Sequence, residues 1–318
     1  MAVYTEVSDS ELEAFLAGYD LGRPLSFKGV AEGVENSNYL LETEAGRFIL
    51  TLYERRVKAA DLPFFLSLLT WLADHGFPSA RPVADRAGRS LGELAGRPAA
   101  IVTFLSGLSA RRPGANHCRE AGEGLAWLHQ ASAGFVGYRA NDLGQGGWAD
   151  LAAGLSDRAE ALKPGLAETI ASDLDELAGA WPKDLPEGVI HADWFPDNVF
   201  FRDDRFAGAI DFYFAADDLL AYDLGVALNA WCFEADGSFN VTSAGALIEG
   251  YERRRTLTAA ERAALPALAR GAAMRFFLTR LADWRNDRAA ALVRPKDPLE
   301  YERKLAVHRA GLKLFAAT

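Results

Sequence analysis

Residues 188–214, GVIHADWFPDNVFFRDDRFAGAIDFYF, constrain this chain more than any other stretch. Two short apolar runs flank the turn RDDR, the pattern of a β-hairpin, yet the sequence on either side is patterned for helix. Three polar residues interrupt the apolar positions: Asp193 in the loop before the hairpin, Asn198 opening its first strand and Asp211 closing its second. Burying such groups without partners is costly. Each one alone is explained as readily by a cap, a bend or a strand end. All three at the spacing H-x-D-x-x-x-x-N, followed by I-D-F, ask for a chemical reason.

Phosphoryl transfer supplies one. It needs a carboxylate to orient and deprotonate the attacking hydroxyl, and oxygen ligands that hold Mg²⁺ on the phosphates. Asp193 fits the first role. Asn198 and Asp211 fit the second, because Mg²⁺ prefers hard oxygen donors and keeps several waters. His191, two residues before Asp193, is read as structural, its ring hydrogen-bonding backbone to hold the loop, rather than as a general base.

The remaining pattern gives an α+β plan. A helix starts at Ser8 or Asp9, with Leu12, Phe15 and Leu16 on one face. SFKGVAEGVEN, SNYLLET and GRFILTLYE read as strands, and DLPFFLSLLTWLADHG as a helix that Asp61 can cap and Pro63 can begin. Further short strands run through RPVADRAGRSLGELAGRPAAIVTFLSG. After Gly107 helices are expected near 116–132, 148–161, 165–180, 219–233, 242–254, 258–288 and 298–316. The expected domains are a β-rich N-terminal nucleotide-binding lobe over 1–105 and a larger α-rich catalytic and substrate lobe over 106–318.

The formal net charge of −10 argues against sequence-independent nucleic-acid binding, which relies on basic surfaces. Cys118 and Cys232 lack metal-ligand spacing and fit a reducing cytoplasm. The N-terminus does not read as a signal peptide, and no apolar run approaches the roughly 18–20 residues of a membrane span. A cytoplasmic monomer or homodimer acting on a small molecule is expected.

The segments H-A-D-W-F-P-D-N and A-I-D-F, with YDLGVAL at 222–228, resemble the aminoglycoside phosphotransferase and choline kinase superfamily, the protein-kinase-like small-molecule kinases. The resemblance runs from Phe27 to about Arg285 and implies a two-lobe protein-kinase-like fold, ATP and Mg²⁺ as cofactors, and a structural anchor at Asp223. GVENSNYLLET, GRFILTLYE and MRFFLTRLADW are similar to the homoserine kinase branch, which implies phosphorylation of the L-homoserine side-chain hydroxyl, a step in threonine synthesis. Kinases of this fold carry a lysine on the third strand for the α- and β-phosphates. Here Thr51 stands at that position, and Lys28, Arg47 and Arg55 are candidate replacements. GVENSN lies where a phosphate loop would be, so Asn36, Ser37 and Asn38 are candidate phosphate donors, although a plain polar turn explains them too. Backbone groups around Thr103, Phe104 and Leu105 are candidates for reading adenine.

Homoserine carries an ammonium, a carboxylate and a hydroxyl, so its site needs charges of both signs. Arg275 and Arg280 are the candidate cations, with Trp194 and Tyr213 beside the chemistry; a structural ion pair is the competing reading for either arginine. Asp217, Asp218 and Asp223 could face an ammonium. Choline, an aminoglycoside or methylthioribose remain alternative acceptors, and a nucleotide-binding pseudokinase or scaffold is the reading without catalysis.

Overall fold

The computed structural model describes residues 5–30, 36–54, 58–284, 296–312 and 314. In chain order the elements are α1 (Asp9–Leu16), β1 (Pro24–Gly29), β2 (Ser37–Thr43), β3 (Gly46–Leu52), α2 (Leu62–Asp74), β4 (Gly92–Leu94), β5 (Arg97–Thr103), β6 (Leu108–Ser109), α3 (Ala115–Ala131), α4 (Trp148–Ala153), α5 (Ser156–Leu162), α6 (Leu166–Ala180), β7 (Glu187–Ile190), β8 (Val199–Arg202), β9 (Arg205–Ala209), β10 (Ala216–Leu219), α7 (Leu220–Trp231), α8 (Val241–Glu252), α9 (Ala259–Asp283) and α10 (Pro298–Arg309). The class is α+β, with the antiparallel sheet early in the chain and helices dominating later.

Local chemistry explains most boundaries. Ser8 and Glu11 form a reciprocal capping box at α1, and Thr258 and Glu261 another at α9, each satisfying two of the orphan N–H groups at a helix start. Pro63 sits in the first turn of α2, but Asp61 makes no cap bond; its carboxylate accepts from Arg139 Nε at 2.8 Å instead. The helix expected over 148–161 breaks in two around Gly154 and Leu155. The expected ends at 288 and 316 lie outside the described residues.

The chain divides into two compact units. The first comprises residues 1–107 together with two later pieces, 134–139 and 208–213. Its sheet runs β1-β2-β3-β5-β4, every neighbour antiparallel. Leu41, Leu50, Leu52, Ala99 and Ile101 fill its core against Leu12 and Leu16 of α1. The returning pieces complete it: Phe135 packs edge-on against Phe64, and Ala209 bridges to Ser79. Gly208, at φ 145°, must be glycine, because a Cβ there would lie 2.3 Å from the Pro78 carbonyl oxygen.

The second unit holds the helices and two small sheets, β7 with β10 and β6-β8-β9. Helices α3 and α8 pack backbone to backbone because Gly122 and Gly250 carry no side chain; a Cβ on either would come within about 2 Å of a carbonyl oxygen of the other helix. A core of Ile190, Tyr222, Leu268, Met274, Phe277 and Tyr301 ties β7 to α7, α9 and α10. Strand β10 was not expected from the sequence. Its pairing with β7, Ala216 opposite Ile190, fixes where β7 ends and the next loop begins. Among the described residues no helix is long and apolar enough to cross a membrane.

Candidate active site

The loop after β7 is held from three directions. Asp223, fully buried on α7, accepts from the backbone N–H of His191 (2.7 Å) and of Ala192 (2.9 Å). His129 Nε2 reaches the same carboxylate at 3.1 Å, and its Nδ1 meets the Tyr251 hydroxyl at 2.7 Å. From the other side, Arg275 Nη1 on α9 donates to the Ala192 carbonyl. Ala192 itself is left-handed, φ 61°, a conformation that costs a residue with a Cβ about 1–3 kcal/mol and persists only where the surroundings impose it. Here the two buried charges supply that constraint. Burial would push the Asp223 carboxyl up, but the hydrogen bond and charge of His129, with His191, hold it below the usual range.

That strained turn directs Asp193. Its Oδ2 accepts from Asn198 Nδ2 at 3.0 Å, and the same amide donates to the Asp193 carbonyl at 2.9 Å. His191 Nδ1 meets the Asp193 N–H at 3.3 Å, and the His191 ring is wholly buried, so it braces the loop. Burial raises the Asp193 carboxyl above its ordinary value, against the opposing pull of Arg275, His191 and Lys296. A carboxylate so raised is a better proton acceptor than a solvated one. Asn198 has spent its amide N–H₂ on Asp193, leaving Oδ1 as a hard donor suited to Mg²⁺.

Asp211 belongs to the first unit. It lies two residues beyond the end of β9 rather than closing it, exposed and at φ 64°, while Phe212 beside it is buried against Phe77. Among the described residues no three His, Cys, Asp or Glu side chains cluster as a metal site.

Thr51 stands opposite Asn38 across β2 and β3 and donates to Asn38 Oδ1 at 2.8 Å. The Tyr213 hydroxyl lies 3.4 Å from that of Tyr53. Burial pushes Tyr213 up to about 12. The position at which a lysine was expected thus carries a chain of neutral hydroxyls and an amide. Asn36 and Ser37 turn inward: Ser37 is wholly buried and donates to Glu54 at 2.8 Å, and Asn36 Oδ1 accepts from the Glu54 N–H. Ser37 is therefore corrected from a phosphate donor to an internal link. Residues 33–35 of GVENSN, and Arg55, lie outside the described residues. At the adenine candidates, the N–H groups of Thr103 and Phe104 are spent on the Arg81 and Arg47 carbonyls, whereas the Leu105 N–H makes no bond to any of the described residues.

The four acceptor candidates are placed differently from one another. Trp194 is completely buried and donates its indole N–H to the Ala121 carbonyl at 3.1 Å, so it packs beneath the loop and offers no face to a substrate. Tyr213 joins the aromatic cluster of Tyr53 and Phe65. Arg280 pairs with Glu300 at 2.7 Å, a structural ion pair, whereas Arg275 reaches the loop beside Asp193. Sequence reasoning missed His129 and Tyr251, which brace Asp223; a histidine on an amphipathic helix carries no local mark of its partner. It also missed that Asn141 holds Asp218 at 2.7 Å.

With this geometry in place, three similarities extend it. Residues 26–257 match the model of the phosphotransferase enzyme family. A homoserine kinase of Caulobacter sp. is 70% identical over 318 residues, covering 100% of this chain and 99% of that protein, and one of Phenylobacterium zucineum is 67% identical over 319 residues, covering 100% and 99%. Among solved structures, an amicoumacin kinase in complex with AMP-PNP and Ca²⁺ superposes with a TM-score of 0.71 at 16% identity, over 95% of this chain and 92% of that one, a likeness of fold. The match over most of the chain, joined to a braced loop that presents Asp193 and Asn198, makes this chain a member of the phosphotransferase enzyme family.

Proposed function

We propose that this protein is an ATP-dependent kinase that phosphorylates the side-chain hydroxyl of L-homoserine, giving O-phosphohomoserine for threonine biosynthesis. The observation that carries the chemistry is the doubly clamped loop at Ala192, which gives Asp193 one direction, while burial raises its basicity against the pull of Arg275. The full-length likeness to proteins named homoserine kinase carries the acceptor. The reducing environment suited to two buried free cysteines fits a cytoplasmic enzyme.

Asn198 Oδ1 in the second unit and the Asp211 carboxylate in the first are each oxygen donors of the kind Mg²⁺ takes, and the ion when bound neutralises charge on the nucleotide phosphates. The Leu105 N–H is left to donate to the adenine ring. Asp193 takes the proton of the acceptor hydroxyl as its oxygen attacks the γ-phosphorus and the bond to the β-phosphate oxygen breaks, releasing ADP. The Asn198 amide, donating to Asp193 Oδ2, keeps the other carboxylate oxygen directed at the hydroxyl.

The test is ATP consumption by the purified protein with Mg²⁺ and L-homoserine, L-serine, L-threonine, choline, methylthioribose or kanamycin. Turnover with L-homoserine well above the rest is expected. Preference for another acceptor would discard the substrate and keep the kinase; ATP bound without turnover on any acceptor would favour the scaffold reading.

A further inference from the structure

Around Asp193 there is more positive charge, and more unanswered polar atoms, than bracing the loop requires. Arg275 is 3% exposed, and among the described residues no carboxylate lies within ion-pair distance of it. Its Nη1 goes to the Ala192 carbonyl, and its guanidinium lies 4.2 Å from the Phe276 ring and 5.3 Å from that of Phe214. Its Nε–H, buried, has no partner. Removing a guanidinium from water without a counter-charge is costly, and elsewhere on α9 the chain avoids it: Arg280 has Glu300, and Arg270 has Asp173 and Glu176.

A second group nearby is also unanswered. Tyr301 on α10 is wholly buried, yet its hydroxyl has no hydrogen-bond partner. Its ring packs on Phe276 at 5.3 Å, the same ring that Arg275 covers. Phe195 packs against Phe276 at 5.0 Å and donates its N–H to the Asp193 carbonyl at 2.8 Å. The Lys296 ammonium lies 5.4 Å from the Phe195 ring. Three donors are therefore gathered about one aromatic pair, Phe195 and Phe276, immediately beside the base, and among the described residues the Arg275 Nε–H and the Tyr301 hydroxyl have no acceptor.

We propose that Arg275, Tyr301 and Lys296 form an anion subsite for the α-carboxylate of the acceptor, with the phenylalanines covering its short aliphatic chain. The proposal rests on the reading of the acceptor as an amino acid and adds the residues that select for it. A carboxylate would give Arg275 a contact ion pair, which the more distant Asp193 does not, and an acceptor for the Tyr301 hydroxyl, in charge-assisted hydrogen bonds. A transferred phosphoryl group offers the same oxyanion chemistry, so the test has to separate the two.

The experiment compares wild type, Tyr301→Phe and Lys296→Gln with L-homoserine and with 3-aminopropan-1-ol, the same alcohol without its carboxylate, measuring kcat and KM for each acceptor, KM for ATP and the thermal midpoint. Tyr301→Phe removes a hydroxyl with no partner in the chain, so the fold should survive it. The expected result is a fall of roughly ten-fold or more in the ratio of kcat/KM for L-homoserine to that for 3-aminopropan-1-ol, carried by KM. Lys296→Gln should move the ratio in the same direction and by less, because that side chain is exposed. Equal losses with both acceptors, or no loss, would overturn the subsite while leaving homoserine phosphorylation standing. A rise confined to KM for ATP would assign the anion as phosphoryl and overturn it too. A wild-type protein that prefers 3-aminopropan-1-ol, or that binds L-homoserine no better by calorimetry, would overturn both the subsite and the reading beneath it.

Discussion

The loop at His191–Asn198 and the strand pair β2–β3 each order polar groups inside an apolar unit, and they do it with different chemistry. The loop is fixed by buried ions: Asp223 on two N–H groups, His129 behind it, Arg275 on the Ala192 carbonyl. The strands use neutral groups, with Thr51, Asn38, Tyr213 and Tyr53 linked hydroxyl to amide and hydroxyl to hydroxyl. Ions fix direction strongly and can hold a left-handed alanine in place, but they expose the loop to loss of any one partner. Neutral links are weaker individually and nearly indifferent to pH.

The largest effect that this contrast predicts is on turnover. Asp193→Ala should lower kcat by about 10²–10⁴-fold with little change in ATP affinity, measured by steady-state kinetics and nucleotide titration. The stability of Asp193→Asn sharpens the point. Because burial raises the folded-state pKa, the ionised carboxylate opposes folding: the cost is absent below the ordinary carboxylate range and complete above the raised value. The inactive Asn variant should therefore be at least as stable as wild type at neutral pH, and a clear drop in its unfolding midpoint would count against that strain.

Next, Asp223→Ala should cost about 3–5 kcal/mol in urea unfolding, because two buried N–H groups and His129 lose their acceptor together. A loss below about 1 kcal/mol would break the claim that buried charge holds the loop.

Acid should then separate the two strategies. His308 on α10 is buried, with Nε2 2.9 Å from Asn229 Oδ1, and burial lowers its pKa to about 4. The folded state keeps it neutral while the unfolded chain protonates near 6.5, so stability is full above that value and falls as pH drops toward 4, by up to about 3 kcal/mol. His308→Gln should flatten the profile over that window; an unchanged slope would remove His308 as its cause.

The smallest effect belongs to the neutral network. Thr51→Val leaves Asn38 Oδ1 without its donor and should cost about 1–2 kcal/mol, with no new pH dependence. A loss as large as that of Asp223→Ala would erase the distinction between the two regions.

How much of this the sequence carried follows from which forces are local. The helix starts at Asp9, Leu62 and Ala259 are legible to within a residue, because caps, prolines and a 3.6-residue period act within a few positions. Asp193, Asn198 and Asp211 stand out in the sequence because they interrupt apolar runs; the structure joins Asp193 to Asn198 and places Asp211 two residues past β9. Trp194 was misread because an indole beside a candidate base looks the same whether it faces ligand or packs under the loop; only the Ala121 carbonyl, far away in sequence, decides. Asp61 reads as a cap in the sequence, but Arg139 offers its carboxylate a full charge. Strand β10 was hidden because ADDL has no apolar alternation, and its existence depends on β7.

The two late pieces of the first unit, 134–139 and 208–213, bear on how this chain emerges from a ribosome. The five-stranded sheet can begin to pair once Thr103 is made, but the pieces that complete its unit arrive only when the chain has reached Tyr213, well into the helices. The strand-rich unit is then not a module that finishes first and waits. It cannot be cut out at residue 107 and grafted elsewhere with its surface intact, and Asp211, carried on the last of those pieces, reaches its unit after most of the helices have already been synthesised.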